Sequence, residues 1–203
     1  MTKKGRAIVD VSKLPEFAFG NRGLMWWGVI GFLAIEGTML VICFVSYFYL
    51  RDRVTDWPPP PTPLPDLLVP TVGLALLLLS VVPMHLACRA AKKLDARKTI
   101  LWLVVTDIVG LAFIGVRVLA FYALNVSWDT NAYGSVVWTI IVIHTFHLVS
   151  EVIETIVITV LLAVGHTEPK YLVDATDNAL YWYFIVLIWV PCYAIIFVTP
   201  RLL

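Results

Sequence analysis

Five long apolar stretches, separated by short polar loops, occupy most of this 203-residue chain: residues 24–50, 67–88, 99–124, 133–164 and 179–199. The hydrocarbon core of a bilayer is about 30 Å thick, and a helix crosses it in about 20 residues. Each stretch reaches that length. The solvent of the folded chain is therefore lipid, in which backbone N–H and C=O groups need internal partners, and a helix bundle supplies them. The expected fold is all-α: a polytopic bundle of five transmembrane helices over residues 24–203, preceded by a polar segment over residues 1–23. An apolar content of 60% is far above that of an ordinary soluble domain, and one domain is expected, since the longest polar segment is the N-terminal 23 residues.

Charge placement orients the bundle. Lys3, Lys4, Arg6, Lys13 and Arg22 precede the first span, and Arg89, Lys92, Lys93, Arg97 and Lys98 cluster between the second and third. The loop after span one carries only Arg51 and Arg53, and the loop after span three carries no Lys or Arg. The positive-inside rule places the N-terminus and the 89–98 loop in the cytoplasm and the C-terminus outside. The N-terminal segment lacks the short apolar core of a signal peptide. A net charge of +1 gives no bulk case for nucleic-acid binding. Cys43, Cys88 and Cys192 show no ligand spacing and read as small membrane-buried side chains.

Local signals refine the spans. Trp26 and Trp27 stand where interface anchors do. Trp57-Pro58-Pro59-Pro60-Pro61, with Pro63 and Pro65, forms a stiff extended loop that cannot be helix. Pro83 and Pro191 fall inside spans two and five and should kink them. The fourth stretch is the longest and must tilt or run beyond the bilayer. Residues 165–178 read as the last cytoplasmic loop.

Ionisable groups inside spans are costly and should face the bundle or a partner. Glu36 sits mid-span beside Gly37, whose missing side chain lets another helix or a lipid approach. It is either a hydrogen-bonded helix contact or a proton-responsive group. Asp107 either pairs with a basic group or is protonated. Arg117 either pairs with a carboxylate of another helix or snorkels to the surface. His144, His147, Glu151 and Glu154 share one stripe of span four. Two imidazoles and two carboxylates are acceptable ligands for a transition metal. Bundle metal sites, however, draw ligands from several helices, and here the other spans offer mainly Glu36 and Asp107. The stripe is read as an interhelical hydrogen-bond surface facing a neighbouring subunit, with the metal centre as its rival. His85 stands apart near the cytoplasmic end of span two, so no haem or copper constellation is apparent.

Several segments, in order and spacing, resemble subunit III of the haem-copper oxidases of cytochrome c oxidase type, over nearly the whole chain. They are Phe32-Leu33-Ala34-Ile35-Glu36-Gly37 with Tyr47-Phe48-Tyr49-Leu50, and the tryptophan–proline loop at Trp57. Gly110, Phe113 and Arg117 keep the spacing of a Gly-x-x-Phe-x-x-x-Gln pattern. Tyr133-Gly134-Ser135 leads to His144-Thr145-Phe146-His147-Leu148, similar to a Tyr-Gly-Ser and His-x-x-His-Val stretch. Tyr181-Trp182-Tyr183-Phe184 with Trp189 looks like the closing segment of the last helix. The chain would correspond to a five-helix form. It departs from the pattern at Arg117 for Gln, Ala120 for Glu and Tyr183 for His, and at the acids Glu151 and Glu154.

The resemblance implies a subunit without redox centres or catalytic residues of its own, in a bacterial-type cytoplasmic (inner) membrane. It would pack beside the catalytic subunit I, and with subunit II, of a respiratory terminal oxidase that reduces O₂ and pumps protons. Haem and copper would lie in those partners, and bound phospholipid would lie against the Glu36 face. Cytoplasmic-edge acids such as Glu168, Asp174 and Asp177 would help supply protons. A quinol oxidase or a nitric oxide reductase-associated homologue would use the same fold. A stand-alone membrane metalloenzyme using His144, His147, Glu151 and Glu154 is a rival of another class. A small channel or transporter is a third, against which there is no inverted repeat and no matching pair of broken helices.

Overall fold

The computed structural model describes residues 17–202. Lys3, Lys4, Arg6 and Lys13, on which the orientation partly rests, lie outside the described residues. Five long helices are present: α1 Leu24–Arg51, α2 Leu68–Lys92, α3 Ala96–Tyr122, α4 Ala132–Ala163 and α5 Pro169–Tyr193. A π-helical turn, Ala194–Val198, and a short α6, Thr199–Leu202, continue α5 in line. Each of the five is long and apolar enough to cross a membrane. With 32 residues, α4 is about 48 Å long and exceeds the hydrocarbon thickness.

The ends of the helices are set by local chemistry. At the end of α2 the Asp95 N–H reaches the Ala90 carbonyl (3.1 Å) and the Leu94 N–H that of Ala91 (2.9 Å). This is a Schellman closure, and it puts Leu94 in the left-handed region at φ 57°. Asp95 then caps α3 by accepting from the Lys98 backbone N–H at 3.1 Å. That bond, with the Lys98 ammonium 3.0 Å away, holds the Asp95 carboxyl below its usual range. The end of α4 repeats the closure, with His166 N–H to Leu161 O and Gly165 at φ 109°, where a side chain would be strained. Asn131 caps α4 through the Gly134 N–H at 2.8 Å.

The last loop is much shorter than residues 165–178. Glu168 has extended backbone, Pro169 occupies the first turn, and the helix runs on from there. Proline suits that position because its missing N–H has no intrahelical partner there in any case. Asp174, Asp177 and Asn178 therefore lie on α5, not in a loop. Further along, Pro191 lies inside α5 and the π turn follows it. The Thr199 hydroxyl bonds Ala194 O at 3.1 Å, satisfying a carbonyl of the widened turn.

Within the bundle α4 packs against α1, α3 and α5, while α2 packs against α3 and α5. The two helices that meet most neighbours also carry the most buried side chains. α1 is attached by a narrow stripe, Glu36, Leu40 and Tyr47, and its remaining apolar surface is largely exposed. At one end the α1–α2 and α3–α4 loops interlock. Trp57 stands edge-on between Tyr47 (5.4 Å) and Tyr133 (5.2 Å), and Asn131 bonds Thr62 at 2.7 Å. Arg201 closes the same end by donating to the Pro65 carbonyl.

Candidate functional site

The polar stripe of α4 faces the interior of its own bundle. This corrects the reading of a surface turned to a neighbouring subunit: α1, α3 and α5 close over the stripe and supply its partners. Helical periodicity puts His144, His147 and Glu151 on one line and extends it to Thr155 and Thr159, which are also buried. Glu154, three residues on from Glu151, is exposed.

Glu36 lies at the first node. It is 5% exposed. The Tyr181 hydroxyl of α5 donates to its Oε2 at 2.6 Å, and His147 Nε2 lies 3.4 Å from Oε1. Each carboxylate oxygen thus faces a donor from a different helix. The space beside Gly37 is filled by Phe184, whose ring would sit 3.6 Å from an added Cβ. Of the two visitors that glycine admits, the structure places a helix there.

His144 is fully buried and held on three sides. Its Nε2 lies 3.0 Å from the Ile185 carbonyl, and its Nδ1 lies 3.4 Å from Arg117 Nη2. A carbonyl only accepts, so Nε2 carries the proton and Nδ1 offers its lone pair to the guanidinium. The Trp189 ring is 4.5 Å away.

Arg117 overturns both expectations made for it. It is 2% exposed, so it does not snorkel, and no carboxylate pairs with it among the described residues. Its guanidinium lies 3.6 Å from the Trp189 ring centre and 4.9 Å from that of Phe113. Two aromatic faces take the place of a counter-ion. Among the described residues Nε and Nη1 have no hydrogen-bond partner.

Deeper along α4, Glu151 accepts from Asn178 Nδ2 at 2.8 Å, and Asn178 Oδ1 accepts from Thr155 at 3.2 Å. Asp107 of α3 accepts from Thr159 at 2.8 Å and, among the described residues, has no basic partner. Trp182 donates to Ser80 of α2 at 2.9 Å. Every long helix is therefore joined to the centre by at least one buried polar bond.

The four residues of the metal rival do not converge. Both nitrogens of His144 are engaged by protein, His147 turns to Glu36, Glu151 turns to Asn178, and Glu154 faces outward. Among the described residues no group of three His, Cys, Asp or Glu side chains could hold a metal ion. His85 bonds the Tyr183 hydroxyl at 3.3 Å, away from the stripe. Cys43, Cys88 and Cys192 are free and mostly buried.

Tyr181, Asn178 and Trp189 are the partners that were not assigned from sequence. The signal was present for two of them. Asp174, Asp177, Asn178 and Tyr181 stand at helical spacing on one face.

A family model described as cytochrome c oxidase subunit III matches residues 15–200. The chain belongs to the cytochrome c oxidase subunit III family. Among its relatives is the cytochrome c oxidase subunit 3 of Thermostichus vulcanus, 26% identical over 175 residues, 86% of this chain and 87% of the relative. That of Synechocystis sp. is 25% identical over 189 residues, 90% of this chain and 80% of the relative. The probable cytochrome c oxidase subunit 3 of Nocardia farcinica is 27% identical over 175 residues, covering 84% and 85%. These relatives carry the oxidase name, so the quinol oxidase, nitric oxide reductase and stand-alone metalloenzyme alternatives are not favoured.

Proposed function

We propose that this chain is the non-redox subunit III of a respiratory haem-copper oxidase, a multi-subunit complex in which other subunits hold the haem and copper. The observation that carries this reading is the family match across residues 15–200, on a fold of five membrane-length helices. The bacterial relatives and the lysine–arginine asymmetry of the loops support a cytoplasmic membrane with the 89–98 loop inside. The catalytic subunit I, with subunit II, is the expected neighbour. The exposed apolar face of α1 is a surface it could cover, and bound phospholipid would lie on the Glu36 side of the bundle.

In this reading the subunit does structural and proton-related work. The bundle shields apolar surface of the catalytic subunit and stiffens it. Glu36 centres a polar node, with Tyr181 and His147 each within hydrogen-bond range of its carboxyl group. Asp174 and Asp177 on α5, with exposed Glu168 before it, line the edge from which protons would be drawn. The carboxyl of Glu168 is held below its ordinary range by the Lys170 side chain 2.8 Å away.

Glu36→Gln tests the proton-related part. Haem content of the complex should be unchanged while turnover, or its pH dependence, shifts. A wild-type turnover and pH profile would remove Glu36 from the mechanism and leave a purely structural subunit. Affinity capture of a tagged chain, with identification of the proteins retained, tests membership. Recovery of haem-bearing subunits is expected, and recovery of this chain alone would overturn it.

A further inference from the structure

A hydroxyl exposed along a span can be satisfied by its own helix. Thr38 and Thr71 donate to the carbonyls four residues back, at 2.7 and 2.6 Å. His85 of α2 has no such route. It is exposed, and its Nδ1 lies 3.3 Å from the Tyr183 hydroxyl of α5. A phenol hydroxyl is the stronger donor of the two, so Tyr183 donates and Nδ1 accepts. The ring proton is then on Nε2, on the side of the imidazole away from Tyr183. Among the described residues the ring makes no other hydrogen bond.

Depth decides what this costs. α2 has 25 residues and is about 37 Å long. Centred on a hydrocarbon layer of about 30 Å, it carries His85 about 7 Å inside the edge nearer Lys92. Helix side chains tilt toward the N-terminus, which for α2 is the opposite edge. The ring leans into the layer and is tied there by α5, so snorkelling does not relieve it. An N–H without an acceptor is costly in hydrocarbon, and ionisable groups at that depth face protein.

The pair closes one end of an apolar seam. α5 lies between α1 and α2. Bonds from His85 to Tyr183 and from Thr71 to Tyr193 show α2 and α5 running antiparallel. Val82 and Leu78, one and two turns before His85, are exposed, as are Leu187 and Val190, one and two turns beyond Tyr183. The exposed line of α3 differs. From Leu101 to Leu119 it is wholly apolar, as a lipid-facing surface is.

The geometry points to the α2–α5 seam as a subunit interface, filled by a membrane-spanning helix of another subunit that presents a side-chain oxygen to His85 Nε2. This rests on the multi-subunit reading above and goes beyond it by fixing a face and the chemistry of its occupant. Acyl chains have no acceptor, and the ester and headgroup oxygens of a phospholipid lie at the edge of the layer. The backbone carbonyls of a regular helix are already engaged within it. The acceptor is therefore a carboxylate, amide or hydroxyl oxygen at the depth of His85, on a helix otherwise apolar toward the seam.

The test uses the intact complex containing this chain, with the photo-reactive residue benzoylphenylalanine in place of Leu187 or, as control, of exposed Ile108 on α3. Irradiation should join position 187 to a membrane-spanning segment of another subunit, and position 108 to lipid alone. Cross-links from position 187 only to lipid or detergent, or to a second copy of this chain, overturn the inference. His85→Leu should lower the share of the chain that stays with the complex through a detergent wash by about tenfold, the worth of one hydrogen bond. Leucine suits lipid better than histidine, so a lipid-facing site predicts no loss, and that result also overturns it. Tyr183→Phe breaks the same bond within the bundle but leaves Nε2 its acceptor, and should cost less than threefold. Equal losses in the two variants would assign the effect to the α2–α5 bond and overturn the inference. Should His85→Leu fail to accumulate, the cross-link at position 187 decides. A wild-type chain that retains no other subunit overturns the multi-subunit reading itself.

Discussion

Replacing Tyr181 by phenylalanine removes one oxygen atom from the contact between α1 and α5 and leaves the ring stacked on Phe32. The hydroxyl lies 2.6 Å from Glu36 Oε2, within the range of charge-assisted O–H···O⁻ bonds, and both residues are buried. Hydrogen bonds to charged groups contribute about 1.5–3 kcal/mol. At about 1.4 kcal/mol per decade, that is a change of roughly 10- to 150-fold in the folded-to-unfolded ratio. Glu36→Leu also removes the bond and strands the Tyr181 hydroxyl. The double variant has neither partner of this bond left to strand, and the loss of His147 Nε2's partner is common to Glu36→Leu alone and the double, so it cancels in the cycle. The sum of the single effects should therefore exceed the double effect by about 1.5–3 kcal/mol. The assay is reversible unfolding of the full chain in mixed micelles, followed by far-ultraviolet circular dichroism. A coupling below about 0.5 kcal/mol, the ordinary error of additivity, would refute the argument that this bond fastens α1 to the bundle.

Four further substitutions can be read in the same assay. Arg117→Met gives up cation–π contacts of about 2 kcal/mol and the bond to His144 Nδ1, about 1 kcal/mol, but also removes a buried charge costing about 2.5–3.5 kcal/mol, so it should fall within about 1 kcal/mol of wild type. Arg117→Ala should cost about 2–5 kcal/mol from the cavity left between two rings, and equal loss in both variants would contradict this account. Gly110→Ala would place a Cβ 2.9 Å from Val152 and 3.0 Å from Trp182, and should destabilise by about 1–3 kcal/mol as α3 is pushed from α4 and α5. Leu94→Gly should stabilise by roughly 0.5–1 kcal/mol, because it relieves a left-handed backbone at an exposed position, and a loss of stability would show that its side chain contributes packing.

The existence of five membrane-length helices was legible because apolar length is a strong signal that needs no tertiary knowledge. The start of α5 was not. Asp174, Asp177 and Asn178 dilute its hydropathy, and the apolar run begins only at Ala179, although Pro169 and the helical spacing of the polar residues marked the helix from the outset. The stripe on α4 was legible as a stripe. Its direction was not, because a period identifies which residues share a face and says nothing of what the face meets. Arg117 shows the same limit. A buried cation suggests a carboxylate, and no sequence rule identifies two aromatic faces on α3 and α5 in its place. Glu36 and Tyr181 are 145 residues apart, and only the closed bundle brings them together.

The measurement that tests the central claim most directly is a reduced-minus-oxidised optical spectrum of the complex that co-purifies with this chain in mild detergent. The account predicts haem a bands of a terminal oxidase, at constant stoichiometry to this chain. Haem o- or b-type bands without haem a would move the chain to a quinol oxidase or nitric oxide reductase partner. A chain that purifies without haem, and with no other subunit, would contradict the account altogether.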